Sequence, residues 1–407
     1  MFESDFFAAN RERLRQLFTG TAPIVITASG RLQRGSDEAY QFHQDSNFWY
    51  LTGVNEPDLI LVMDKGKEYL IIPGRSDSQE VFDGAIDAAE VRRRSGIATI
   101  LSEKEGWKQL EGRLKRVQHV ATLAAPPSYV DSLGLYMNPA RARLIKRCKE
   151  VNSDLELLDL RAHLARMRMI KQPQEIAALR KAIEITNDTL KEVTKQRQLA
   201  KYAHEFELEA DITRGFRVRG ARGHAFTPIV AGGANACTLH YVDNNSPLAS
   251  NDLIVLDVGA EYEHYSADIT RTVCSGEPSR RQRAVHEAVE AAQDYAYSLL
   301  KPGVHFIEYE KQMVAFVGEK LRELGLIKTI TDENVRKYFP HATSHFLGLD
   351  THDTGDYERP LEPGVVMTVE PGIYIPEEGI GVRLEDDVLI TEDGIEILSK
   401  SLPRSLS

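Results

Sequence analysis

Acidic residues stand at the ends of apolar strands in this sequence, and no other feature constrains the fold so tightly. Leu253-Ile254-Val255-Leu256 runs straight into Asp257, and Val365-Val366-Met367-Thr368-Val369 runs into Glu370, where Pro371-Gly372 stops it. Apolar runs of this length, bounded by turn residues, read as buried strands. Strands are depleted in Asp, so an acid there needs a reason. One reason is local, a carboxylate capping a turn. The other is chemical. After a turn-like stretch, 259–265, comes a second strand, Ala267-Asp268-Ile269-Thr270-Arg271-Thr272. That spacing suits a hairpin that brings Asp257 and Asp268 opposite each other on one face. Two carboxylates so close repel, and one keeps its proton unless a cation is shared between them.

The C-terminal part repeats the pattern. In Val382-Arg383-Leu384-Glu385-Asp386-Asp387-Val388 the strand alternation puts Arg383, Glu385 and Asp387 on one face and Val382 and Leu384 on the other. A surface ladder of ion pairs is the alternative reading of that charged face. His341, His345 and His352 cluster within 340–353, in a chain with 12 histidines in all. An isolated histidine is more often a plain core or surface residue, and the clustering sets these apart. Asp257, Asp268, Glu370 and Glu385 with His345 make a ligand set of four carboxylates and one imidazole, suited to Mn²⁺, Co²⁺ or Zn²⁺. Because carboxylates bridge, such a set can hold two ions about 3.5–4 Å apart and lower the pKa of a shared water, giving a hydroxide that attacks a carbonyl. Residue chemistry thus reaches metal-assisted hydrolysis and names no substrate.

At 407 residues the chain is long enough for two or three domains. With 42% hydrophobic and 27% charged residues it has the composition of a folded soluble protein. A net charge of −11 argues against nucleic acid as a partner. Cys148, Cys237 and Cys274 are odd in number, far apart and form no CxxC pair, which suggests a reducing compartment. The acidic start, Met1-Phe2-Glu3-Ser4-Asp5, is unlike a signal peptide. No run approaches the roughly 20 apolar residues of a membrane span, so the expected location is the cytoplasm.

Residues 24–27, 59–63 and 69–72 read as strands and 86–94 and 104–117 as helices, which predicts a smaller α/β domain over 1–160. Pro173 with Glu175 close behind marks a helix start, and Ile176, Leu179, Ile183 and Leu190 form its apolar stripe. A second domain over 161–407 follows. Its helices near 280–300 and 308–324 lie between strand-rich blocks, an α+β pattern with a curved antiparallel sheet backed by helices.

The order Asp, Asp, His, Glu, Glu within LDVG, SADITRT, SHFLGLDTHD, TVEPGIYI and GVRLEDDV resembles the metal-dependent pita-bread (creatinase-fold) peptidases, above all Xaa-Pro aminopeptidase (aminopeptidase P) and Xaa-Pro dipeptidase (prolidase). Ser46-Asn47-Phe48-Trp49-Tyr50-Leu51-Thr52-Gly53 resembles the aminopeptidase P N-terminal domain, itself creatinase-like. The resemblance implies a dinuclear exopeptidase that hydrolyses Xaa-Pro bonds at peptide N-termini through a metal-bridging hydroxide. It implies that Asp257 chelates one ion, that His345 and Glu370 hold the other, and that Asp268 and Glu385 bridge them. Glu370 would also shuttle the proton. His341 and His352 would polarise the scissile carbonyl, His240 would bind substrate, Arg383 would order the site, and Tyr374 would support it beside the substrate. Two divalent ions per subunit are implied, Mn²⁺ first with Co²⁺ or Zn²⁺ as alternatives, and a homo-oligomer, dimer or tetramer. No membrane partner is implied.

Two departures stand out. Between Asp353 and Leu361 lies only Thr354-Gly355-Asp356-Tyr357-Glu358-Arg359-Pro360, shorter than in the aminopeptidase P pattern, which carries additional arginine there. Arg359 is the residue expected to take over part of that role toward substrate. Phe82 stands where some relatives have a tryptophan that closes a neighbouring subunit's pocket; the other reading packs it in its own core. A dipeptidase confined to Xaa-Pro dipeptides is the near alternative. A non-catalytic peptide-binding module of the same fold is the remote one, and occupied ligand positions speak against it.

Overall fold

The computed structural model describes residues 2–123, 130 and 133–406. It divides into two compact units, Phe2–Met167 and Arg168–Ser407.

In the first unit six strands form one sheet in the order Ile100–Ser102, Lys67–Ile72, Ile60–Asp64, Ile24–Thr27, His119–Thr122, Glu156–Asp159. Ile60–Asp64 is antiparallel to both its neighbours and the remaining pairings are parallel. Val25, Val62 and Ile71 pack with Trp107 and Leu110 of the helix Glu103–Leu114 in the core of this unit. The helix Ala88–Ser95 starts on Asp87, whose carboxylate accepts from Ala89 and Glu90 N–H, and stops at Gly96 in the left-handed region. The short helix Asp77–Asp83 carries a Ser76/Gln79 capping box yet buries no side chain. Phe82 is 85% exposed there, so it does not pack in a core of its own.

The second unit starts at Arg168, and its first long helix begins where Pro173 and Glu175 mark a start. Pro173 opens the helix Pro173–Val193 and Glu175 returns to the Gln172 N–H in a capping box. Leu179, Ile183 and Leu190 are buried, and Ile183 and Leu190 with the helix Glu205–Val218 cover one face of the sheet Ile229–Gly232, Leu253–Val258, Ile269–Cys274. The helices Arg280–Leu299 and Phe306–Glu323 pack on Met367, Val369, Val382 and Val388 of the C-terminal strands. The α+β expectation holds.

Alternation then decides where the acids go. In Leu253–Val258, Ile254, Leu256 and Val258 face the helix-backed core, so Asp257 must face the other way. The predicted hairpin exists in altered form. Leu253–Val258 pairs antiparallel with Ile269–Cys274, but Asp257 opposes Thr270, and Asp268 lies just before the ladder. Residues 260–266 form their own small hairpin, turning through positive φ at Glu263 and His264, and this displaces the register. Gly259 makes the close approach possible: a Cβ there would lie 1.7 Å from the Ala267 carbonyl oxygen. Since that obstacle is backbone, Gly259→Ala is expected to destabilise the protein by about 2–4 kcal/mol, read as a lower midpoint in urea denaturation. An unchanged midpoint would show that the two strands separate freely.

Candidate metal centre and active site

Asp268, His345 and Glu385 offer ligand atoms that all lie within 4.8 Å of one another. Glu370 joins them: its Oε1 is 3.4 Å from His345 Nε2, as is Asp268 Oδ2. His345 Nδ1 donates to the Phe346 carbonyl at 3.0 Å, which turns the Nε2 lone pair toward the carboxylates. Glu385 accepts from Thr270 Oγ1 at 2.7 Å, while its own N–H donates to the Thr270 carbonyl at 3.0 Å. Thr270 and Thr272 lie on the same strand face as Asp268, a period-of-two signal that the sequence carries but that drew no expectation from it. Arg383, Glu385 and Asp387 are all buried, so they do not form a surface ladder.

Asp257 is held differently. Arg383 Nη2 donates to its Oδ2 at 2.6 Å, and its Oδ1 is buried with no hydrogen-bond partner among the described residues, as is Oδ1 of Asp387. A buried acceptor left unpaired is costly, and a cation removes that cost. The charges point the same way. Burial raises Asp268 well above the ordinary carboxylate range, and Asp257 and Asp387 push it further. Burial, then Asp268 and Glu370, raise Glu385 as strongly. Glu370 is raised by burial although His345 and Arg383 pull it down. The donor set is hard, crowded and short of positive charge, and it fits divalent ions.

One hydrogen-bond chain has its direction fixed by chemistry. Arg383 can only donate, and its Nη1 donates to Tyr374 Oη at 2.7 Å. Tyr374 lies 2.9 Å from His341 Nε2, and His341 Nδ1 lies 2.8 Å from the Ala342 carbonyl, which only accepts. His341 therefore carries its proton on Nδ1, and Tyr374 donates to Nε2. Burial, reinforced by Arg383, lowers the His341 pKa to about 3, so the ring is neutral. With both nitrogens engaged, it can turn a donor on a substrate only by giving up one of these bonds. His352 packs edge-on against His345 at 4.3 Å between ring centroids, and burial followed by His345 lowers its pKa to about 4.

A cavity of about 620 Å³ gathers Asp257, Asp268, His345, Glu370, Glu385, His341, His352, His240 and Arg383 on its walls. Phe226, Ile229, Leu239, Val242 and Tyr357 supply its apolar lining. Tyr357 is not foreseen from the sequence; it packs against Phe306 and Phe346, and nothing in its neighbours' spacing marks it. Two predicted residues stay off the walls. Tyr374 is 2% exposed and acts through His341 and Arg383. Arg359 is exposed, lies 3.9 Å from Glu362, and donates its N–H to the Asp356 carbonyl; it is not among the residues lining the cavity.

The chain is similar to known proteins along almost its whole length. Residues 177–392 match metallopeptidase family M24, and residues 7–121 match the aminopeptidase P N-terminal domain. Xaa-Pro aminopeptidase of Escherichia coli is 34% identical over 97% of this chain and 94% of its own length. Human Xaa-Pro aminopeptidase 3 is also 34% identical, over 94% of this chain and 79% of its own. The zinc-substituted E. coli aminopeptidase P solved with product superposes with a TM-score of 0.85 at 31% identity, covering 99% of this chain and 96% of the other.

The raised carboxylates carry a pH signature. Without metal, Asp268, Glu370 and Glu385 keep their protons to higher pH in the folded chain than in the unfolded chain. Their contribution to stability is complete below the ordinary carboxylate range and is lost as pH rises through the raised values. A divalent ion replaces those protons. The rise in Tm on adding Mn²⁺ is thus expected to be several degrees larger at about pH 8 than at about pH 6. An equal rise at both would contradict the crowding.

Proposed function

The chain belongs to metallopeptidase family M24, in its aminopeptidase P branch, and from that premise we propose that it removes the N-terminal residue preceding proline from peptides. The observation that carries this reading is the convergence of the acids and His345 in one cavity that Phe226, Ile229, Leu239, Val242 and Tyr357 also line. Asp257 and, on the other side, His345 with Glu370 would each hold one divalent ion, and Asp268 with Glu385 would face both. Mn²⁺ is the ion proposed, with Co²⁺ or Zn²⁺ as alternatives that suit the same ligands. Bound there, such ions supply Lewis acidity that brings the pKa of water to about 7.

The chain's own groups then divide the remaining work. Glu370, raised above an ordinary glutamate, takes a proton from the attacking water and delivers it to the proline nitrogen as the C–N bond breaks. His352, standing at the cavity wall, donates to the oxygen of the scissile carbonyl as negative charge builds there. His341 keeps that wall in place, and Arg383 fixes Asp257 directly and His341 through Tyr374. His240 contacts the substrate from the opposite segment. Proline has no amide hydrogen and restricts the residue before it, so recognition falls to shape, which Phe226, Leu239, Val242 and Tyr357 supply.

Substrate length follows from charge. Among the described residues lining the cavity, Arg383 is the one Lys or Arg, and Asp257 and Tyr374 already occupy it. A dipeptide would place its carboxylate beside the scissile bond with no free cation to meet it. Longer peptides avoid that cost. Association into a dimer or tetramer is proposed on the side-by-side exposure of Val81 and Phe82. A cytoplasmic location is proposed on the three free thiols, and among the described residues no helix is long and apolar enough to cross a membrane.

The test is kcat/KM of the Mn²⁺-loaded protein on Xaa-Pro and on Xaa-Pro-Yaa-Zaa. Preference for the longer peptide by about tenfold or more is expected. The reverse preference would make the protein a dipeptidase, and turnover of neither with metal bound would make it a binding module. Glu370→Gln should lower kcat about 10³-fold.

A further inference from the structure

The helix Glu205–Val218 lies outside the catalytic wall, yet two acids on one of its faces hold the segment that carries His240. Glu205 is fully buried and all four of its acceptor positions are in use. Its Oε1 accepts from Gly232 N–H at 2.8 Å and Asn235 Nδ2 at 2.9 Å; its Oε2 accepts from Tyr241 Oη at 2.7 Å and Ser246 N–H at 2.9 Å. Those four donors bracket His240 on both sides. One turn along, Glu209 accepts from Asn244 Nδ2 at 3.0 Å, and Asn244 also donates to the Pro228 carbonyl and accepts from Val230 N–H. Asn244 sits at φ 45°, a left-handed conformation that Asn tolerates better than most residues. Residues 241–245 have no regular structure of their own, so these side-chain bonds set their path.

We infer that Glu205, seconded by Glu209, is a positioning residue for substrate binding: it clamps the 237–246 segment so that His240, Leu239 and Val242 meet the peptide already ordered. This rests on the aminopeptidase reading above. A carboxylate that accepts four hydrogen bonds in the interior cannot be replaced by an amide without turning an NH₂ toward a donor. Loosening the segment raises the ordering cost paid on binding while leaving Glu370 and the metal ligands in place, so KM moves and kcat does not.

The experiment uses the full-length, Mn²⁺-loaded protein and compares wild type, Glu205→Gln, Tyr241→Phe, His240→Ala and the Glu205→Gln/His240→Ala double variant. Glu205→Gln is expected to raise KM for an Xaa-Pro-Yaa-Zaa peptide about tenfold with kcat within about twofold and metal content unchanged. Hydrogen exchange across 237–246 should quicken. In the His240→Ala background the same change should add little, because both act through one contact. Tyr241→Phe, which removes a single donor, gives the same pattern at about threefold if Glu205→Gln fails to fold. Unchanged KM and exchange would overturn the inference, as would an equal loss of kcat with and without His240. Wild-type protein that cleaves no Xaa-Pro peptide would defeat the functional reading, while exchange would still decide whether Glu205 holds the segment.

Discussion

Mutual repulsion among Asp257, Asp268, Glu370 and Glu385 is the interaction on which the second unit is organised. Each is driven toward the same small volume by the apolar run beside it, because the strand can bury its hydrophobic residues only by turning its acid to the opposite face. With no cation bound, burial and like charge push Asp268 and Glu385 well above the usual carboxylate range. Protons relieve the conflict at low pH and divalent ions relieve it at neutral pH. A fold that enforces such a concentration of charge is preorganised for metal.

Asp386 and Asp353, which flank the centre, are both paired with cationic side chains. Immediately after Glu385, Asp386 faces away from the centre and accepts from Arg271, Tyr297 and Gln293. Arg271 reaches across to the Glu385 carbonyl at 2.6 Å, so the strand break at this position is pinned from behind. Behind His352, Asp353 is buried between Lys171, at 2.9 Å, and Arg168. Burial alone would raise its pKa, and those two cations hold it below the ordinary value instead. Removing one partner from a buried cluster of this kind costs about 3–5 kcal/mol, so the loop that presents His352 is firmly seated.

How much of this was legible in the sequence depended on whether a residue was out of place for its context. The proposed metal ligands were legible because acids at apolar strand ends and clustered histidines are both anomalous. The helix at Pro173 and the α+β layout followed from capping and periodicity. Asp268 was legible but its register was not, since the extra hairpin at 260–266 depends on positive φ at Glu263 and His264, which composition does not announce. Arg359 lies off the cavity wall, on a connection whose path the resemblance did not convey. Glu205 was invisible for another reason: an acid in the first turn of a helix is what the helix dipole favours anyway, so nothing distinguishes a clamp from a cap. The tautomer of His341 needs the positions of Tyr374 and Ala342, and no sequence pattern supplies them.

Whether these acids hold a pair of ions can be seen by anomalous diffraction from crystals of the Mn²⁺-loaded protein. Two manganese peaks about 3.5–4 Å apart are expected, with Asp268 and Glu385 between them and Asp257 Oδ1 on one ion. A single peak, or none, with Asp257 Oδ1 still unliganded, would contradict a dinuclear centre.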